Sequence, residues 1–155
     1  MNLTIIPFAD LQLSIWFSDT ELYASSLALS SGQFKPVVHP LIDRVQEQLG
    51  TYLRQSDYSF DLPLAPEGTD FQCWVWQQMS AIPAGQVRTY GEIAKLRNSA
   101  ARAVGGACRA NPLPLFIPCH RIVSRSGIGG YSGQWQEGER IDVKRWLLTH
   151  EGAVS

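Results

Sequence analysis

A small α/β unit followed by a mainly α-helical one is the fold this 155-residue chain predicts. Three observations carry that expectation. The strand-like segments LQLSIWF and LYASSLAL flank the polar turn SDTE. Behind them PLIDRVQEQLGTYL has a helical stripe, so the first unit is a small sheet plus a helix. After the Pro-rich YSFDLPLAPEG, strand signals give way to helical stripes with matched start signals. The boundary is expected within residues 62–68, dividing the chain into an N-terminal unit, 1–66, and a C-terminal unit, 67–155.

Each element has its own warrant. In the first helix Leu41, Ile42, Val45, Leu49, Tyr52 and Leu53 share a face, and Pro40 suits the first turn, where its missing N–H costs nothing. The second helix starts at a capping box, Thr69 with Gln72, and its stripe is Phe71, Trp74, Val75 and Met79. Cys73 lies among these aromatics and reads as a buried structural thiol. Thr89 and Glu92 repeat the capping-box spacing, opening a short helix to about Arg97. Ser99 is placed to cap another over 100–110, which Asn111-Pro112 stops. Two short helices about a tight turn form a helix-turn-helix pattern. The second is unusual in being mostly Ala and Gly. Its Gly105 and Gly106 each cost roughly 1 kcal/mol against alanine, a cost that close approach to another helix or to a groove would explain.

Hydrophobic residues make up 45% of the chain, enough for a real core, while no apolar run reaches the length of a membrane span. The N-terminal residues lack a basic n-region and a small-residue cleavage site, so a soluble, cytoplasmic protein is expected. The net charge of −1 hides an asymmetry, −4 over residues 1–65 and +3 over 66–155. From Arg88 to Arg125 there are seven basic side chains against Glu92 alone. Such a block is either a solvated helical face or a phosphate-binding surface. Three widely spaced cysteines, Cys73, Cys108 and Cys119, suggest neither a disulfide frame nor a zinc site.

The segment FIPCHRIV then sets the chemical question. Proline stiffens the backbone before Cys119 and is expected to hold it extended and non-helical. A free thiol with pKa near 8.5 is only a few per cent thiolate at neutral pH, so a nucleophilic Cys119 needs a base. His120 is adjacent, but neighbours on an extended chain point to opposite sides, which invites a bridging water. From these residues alone Cys119 is either a core thiol or a nucleophile.

RAVGGACRANPLPLFIPCHRIV, GYSG and WLLTHEG together resemble the O6-alkylguanine-DNA alkyltransferases, or methylated-DNA–protein-cysteine methyltransferases. The likeness is dense from Gly68 to Gly152 and weak before it. It implies a ribonuclease-H-like N-terminal domain and a helix-turn-helix that binds the minor groove of duplex DNA carrying O6-alkylguanine. It further implies flipping of the damaged base, and irreversible transfer of the alkyl group to Cys119. O4-alkylthymine is a second candidate substrate. His120, through a water and oriented by Glu151, would take the thiol proton, and Tyr90 would protonate the leaving guanine. Arg102 would fill the gap left by the flipped base. Arg109 and Arg121 would serve DNA binding, and Asn111, a hinge from the recognition helix to the active-site loop, is grouped with them. Tyr131 and Ser132 would line the guanine pocket. No metal or cofactor and no membrane partner is implied, and a monomer is expected.

Two stretches depart from the family pattern. The turn KLRNSA is shorter, which would alter the pose on DNA. QWQEGERID stands where a much shorter link leads into the last helix, near the pocket rim. Two other readings stay open: a non-catalytic damage-recognition protein of the same fold, and a Cys-His hydrolase resting on Cys119 and His120 alone.

Overall fold

The computed structural model describes residues 2–125 and 139–154, with the side chains of 139–142 left out. Three antiparallel strands, β1 (Asn2–Phe8), β2 (Leu11–Phe17) and β3 (Leu22–Leu29), pair in sequence order. The register sets Ile6 opposite Leu13 and Leu13 opposite Leu27, so the inward set shares one face. One extra residue between Leu22 and Ala24 is absorbed as a bulge opposite Phe17 and Trp16, which keeps Leu22 and Ser25 both buried. The strand β1 is absent from the sequence expectation. It contains Pro7, which cannot donate to a ladder and is tolerated because β1 lies at the sheet edge.

Helix α1 (Pro40–Arg54) carries Pro40 at its first turn, as expected, and its N-cap is His39, whose Nδ1 accepts from Leu41 N at 3.1 Å. Leu41, Ile42, Val45, Leu49 and Tyr52 are buried. Leu53 is not; Gln48 takes the buried position instead, because its amide grips the backbone N–H and C=O of Asp61 at 2.8 Å each. The Pro-rich stretch after α1 forms no long strand. It runs beside β3, with Leu22 bonded to Pro63 O and Ala65 N, both at 2.9 Å.

Helix α2 (Asp70–Ser80) has the expected capping box, Thr69 with Gln72. Its buried residues are Val75, Trp76 and Met79; Phe71 and Trp74 turn toward the rim, where Arg97 stacks over both rings. Cys73 is half-buried rather than enclosed. A two-residue parallel ladder joins β4 (Arg88–Thr89) to β5 (Ile122–Val123). Thr89 then caps α3 (Tyr90–Lys95) with Glu92, again as expected. That helix ends at Lys95, and Asn98, at φ 51°, turns the chain into α4 (Ala101–Arg109). Ser99 does not cap α4: Ala100 holds the N-cap position, and its side chain makes no capping bond. The last helix, α5 (Glu139–His150), begins inside QWQEGERID, so residues 139–142 are helix rather than loop.

One hydrophobic cluster runs from Ile6 and Leu13 on the sheet through Tyr52 and Met79 to Val104 and Leu147. Trp76 closes α2 onto α4, donating its indole N–H to Ala107 O at 2.9 Å, a last-turn carbonyl with no partner inside its own helix. Ser25 on β3 reaches the loop after α4: its hydroxyl donates to Pro114 O at 2.8 Å and its N–H to Pro112 O at 2.9 Å. The sheet thus supports the segment leading to Cys119.

Candidate active site

That segment is bent, not extended. Pro118 at φ −80° and ψ 67° sits in the centre of an inverse γ-turn, with Cys119 N–H bonded to Ile117 O at 2.8 Å. Residues Cys119–Arg121 then form a single 3-10 turn, closed by Arg121 N–H to Pro118 O at 3.0 Å. The extended expectation fails because proline's fixed φ suits the γ-turn as well as a strand. On a 3-10 turn adjacent side chains are about 120° apart, so Cys119 and His120 both enter the interior. Both are buried, and Cys119 is in no disulfide.

His120 is wholly enclosed. Its Nε2 lies 2.9 Å from Glu151 Oε2, across 31 residues of sequence. Arg121 clasps the same carboxylate in a fork, Nε to Oε1 and Nη2 to Oε2, each 2.9 Å, and its Nη1 donates to Ile82 O at 2.7 Å. The Tyr52 hydroxyl adds a bond of 2.6 Å to Oε2. Burial alone would raise the Glu151 carboxyl, but the bonds from His120 and Arg121 outweigh it and hold the group well below the usual carboxylate range. Glu151 is therefore an anion. The His120 ring is held below the ordinary imidazole value by burial, with Glu151 pulling the other way, and is neutral. Facing a carboxylate, Nε2 carries the ring proton, so Nδ1 keeps its lone pair. That Nδ1 is buried with no hydrogen-bond partner among the described residues. The arrangement is a neutral base, oriented by an anion, next to a cysteine. It is the pattern that activates a nucleophile.

Asn111 is buried just past α4, its Nδ2 donating to Ile117 O and its Oδ1 accepting from Leu113 N, each at 2.9 Å. It fastens the loop from α4 to Cys119. Of the residues expected to serve DNA binding, Asn111 spends its side-chain amide on these internal bonds, and Arg121, whose side chain is 12% exposed, binds Glu151 and the Ile82 carbonyl. Arg102 and Arg109, by contrast, are exposed on α4. Tyr90 opens α3 and is half-buried. Tyr131 and Ser132 lie outside the described residues. Among the described residues, a Cβ on Gly105 or Gly106 would meet only the Arg109 guanidinium, at 3.7 and 3.9 Å, and no other helix. Among the described residues no group of three His, Cys, Asp or Glu side chains could hold a metal, and no helix is long and apolar enough to cross a membrane.

Residues 70–153 match the model of the 6-O-methylguanine DNA methyltransferase DNA-binding domain. This chain belongs to the methylated-DNA–protein-cysteine methyltransferase family. A probable methylated-DNA–protein-cysteine methyltransferase of Acanthamoeba polyphaga mimivirus is 36% identical over 155 residues, covering 97% of each chain. The methylated-DNA–protein-cysteine methyltransferase of Methanosarcina acetivorans is 44% identical over 109 residues, 68% of this chain and 66% of that one. The crystal structure of Mycobacterium tuberculosis OGT in complex with DNA matches with a TM-score of 0.78 at 33% identity, over 96% of this chain and 91% of that one.

Two side chains at this family site escape the sequence reading. Tyr52 reads there as one more apolar position of α1, yet its hydroxyl binds Glu151. Lys144 is fully buried, and its Nζ donates to Ile122 O at 2.7 Å, one residue beyond the 3-10 turn. A lysine in a helix otherwise reads as solvent-facing. The only sequence signal is its place between Val143 and Trp146, on the apolar side of α5.

Proposed function

We propose that this chain repairs duplex DNA by irreversible transfer of the alkyl group of O6-alkylguanine to Cys119, one turnover per chain. The observation that supports it most is the neutral His120, oriented by ionised Glu151, directly after Cys119. Cys119 Sγ attacks the alkyl carbon and forms the C–S bond. The C–O6 bond breaks, leaving its electron pair on guanine. The thiol proton passes through a bridging water to His120 Nδ1, and the Tyr90 hydroxyl protonates the guanine ring. The products are guanine and an S-alkylcysteine.

The remaining parts of the reading follow from the same assignment. The chain divides into an N-terminal unit, 1–66, with a ribonuclease-H-like fold, and a C-terminal unit, 67–155, in which α3 and α4 act as a helix-turn-helix. The open Ala/Gly side of α4 is the one that enters the minor groove. Exposed Arg102 holds the gap while the base is flipped, which costs a few kcal/mol, and Arg109 meets the backbone. Tyr131 and Ser132 line the pocket, and O4-alkylthymine is a second substrate. The reaction needs only DNA and a reduced thiol, so a cytoplasmic monomer suffices.

The deciding experiment mixes the protein with duplex DNA bearing one O6-methylguanine and weighs the intact chain. A gain of one methyl per chain, absent in Cys119→Ser, is the expected result. Tight binding with no mass gain would replace this reading with a non-catalytic damage-recognition protein.

A further inference from the structure

We propose that Tyr52 is a positioning residue of the transfer reaction: its hydroxyl, delivered from the N-terminal unit, sets the charge that Glu151 Oε2 presents to His120. Tyr52 lies on α1, outside the span matched by the family's domain model. The inference rests on the alkyl-transfer reading and deepens it.

The hydroxyl is not a by-product of packing. The Tyr52 ring is immobilised on several sides, by Phe8 at 6.1 Å, Phe60 at 5.2 Å and the His150 ring at 4.8 Å between centroids. His150 Nε2 also donates to Tyr52 O at 2.8 Å. A phenylalanine would fill the same space. What tyrosine adds is one O–H, and it goes to the carboxylate oxygen that faces His120, at 2.6 Å. Burial, then the Glu151 charge, pushes the Tyr52 phenol far up, so it remains a donor at any working pH.

Three donors converge on Oε2: Tyr52 Oη, His120 Nε2 and Arg121 Nη2. Of the other charged or titratable groups, Lys144 acts on His120, and Cys119 and Cys108 act in turn on Lys144. Each donor draws charge away from the others. Without the Tyr52 bond, Oε2 turns more negative toward His120 and the ring becomes more basic. The Glu151 carboxyl also becomes easier to protonate. Both changes have one sign: the base becomes available only at higher pH. A hydrogen bond to an ionised group has the strength of about one pH unit. Tyr52 therefore keeps His120 neutral and receptive near neutrality.

The test compares the parent with Tyr52→Phe and with Phe8→Leu, which loosens the same aromatic cluster without touching Glu151. Two quantities are read: the pH dependence of methyl transfer from O6-methylguanine duplex, and the His120 ring titration by 15N-NMR in the resting protein. Tyr52→Phe is expected to move the acid limb and the His120 titration up by about one pH unit, while Phe8→Leu lowers the melting temperature and moves neither. Superimposable titrations in Tyr52→Phe and the parent, or equal shifts in both variants, overturn the proposal. Should Tyr52→Phe not fold, 3-fluorotyrosine at position 52 decides: this stronger donor is expected to move the titration down, and no movement overturns the assignment. If the parent accepts no methyl at all, the alkyl-transfer reading fails by itself, and the NMR titration still judges Tyr52.

Discussion

Asn111 holds Ile117 by its side-chain amide, Nδ2 to the Ile117 carbonyl at 2.9 Å, so the end of α4 and the start of the Cys119 turn are one fastened unit. The carbonyl it binds is also the acceptor of the γ-turn that presents Cys119. The same loop carries Leu115 at φ 79°, a left-handed conformation that costs a leucine about 1–2 kcal/mol. Asn111 and Ser25 bond the loop on either side of Leu115, at Leu113 and Ile117 and at Pro114.

Asn111→Ala removes both bonds and leaves the Ile117 carbonyl and the Leu113 N–H with fewer partners in a buried loop. The Ile117 carbonyl keeps its γ-turn bond from Cys119 N–H, so the main cost is the Leu113 N–H, and a loss of about 1–3 kcal/mol is expected in urea denaturation. Alkyl transfer should slow as well, because the Cys119 turn loses its anchor. An unchanged midpoint would mean that the loop is held by Ser25 alone.

Arg102→Ala should not affect folding, since the side chain is exposed on the first turn of α4. It should spare alkyl transfer from a free O6-alkylguanine base while slowing transfer from duplex DNA about tenfold or more, a barrier change of about 1.4 kcal/mol. Equal slowing on both substrates would exclude the gap-filling role.

Gly105→Ala and Gly106→Ala separate helix stability from DNA approach. Among the described residues, a methyl at either position makes ordinary contact with the Arg109 guanidinium and meets nothing closer. The folded chain should gain up to about 1 kcal/mol from the better helix former. If α4 lies in a narrow groove, affinity for duplex DNA should fall in the same variants. Gain of stability with unchanged affinity would mean that this side of α4 faces away from the DNA.

The local features were legible because local rules govern them. Both capping boxes, Thr69 with Gln72 and Thr89 with Glu92, form as their spacing predicts. Long-range features follow other forces. Trp76 displaces Trp74 from the core because its indole finds the Ala107 carbonyl, a partner 31 residues away that no periodicity reveals. The strand β1 is hidden by Pro7, which only an edge position permits. His120 and Glu151 can be paired from the sequence only through family resemblance, and Tyr52 joins them from 99 residues before Glu151 with no signal at all.

Lys144 yields the last prediction, on pH. Burial pulls its ammonium down to about 8, with the nearby Cys119 and Cys108 thiols pulling the other way. An unfolded lysine titrates near 10.4. Between those values the unfolded chain binds the extra proton, so the lysine's contribution to stability rises as pH rises through that window. The full difference corresponds to roughly 3 kcal/mol. Lys144→Met removes the titration and also the bond to the Ile122 carbonyl, so it is compared by slope rather than by level. Denaturant unfolding at pH 7.5 and 10 should show the parent gaining about 2–3 kcal/mol relative to the variant, the tyrosine titrations being common to both. A constant difference across that window would mean that Lys144 keeps its charge in the folded chain up to pH 10, with the thiols compensating its burial.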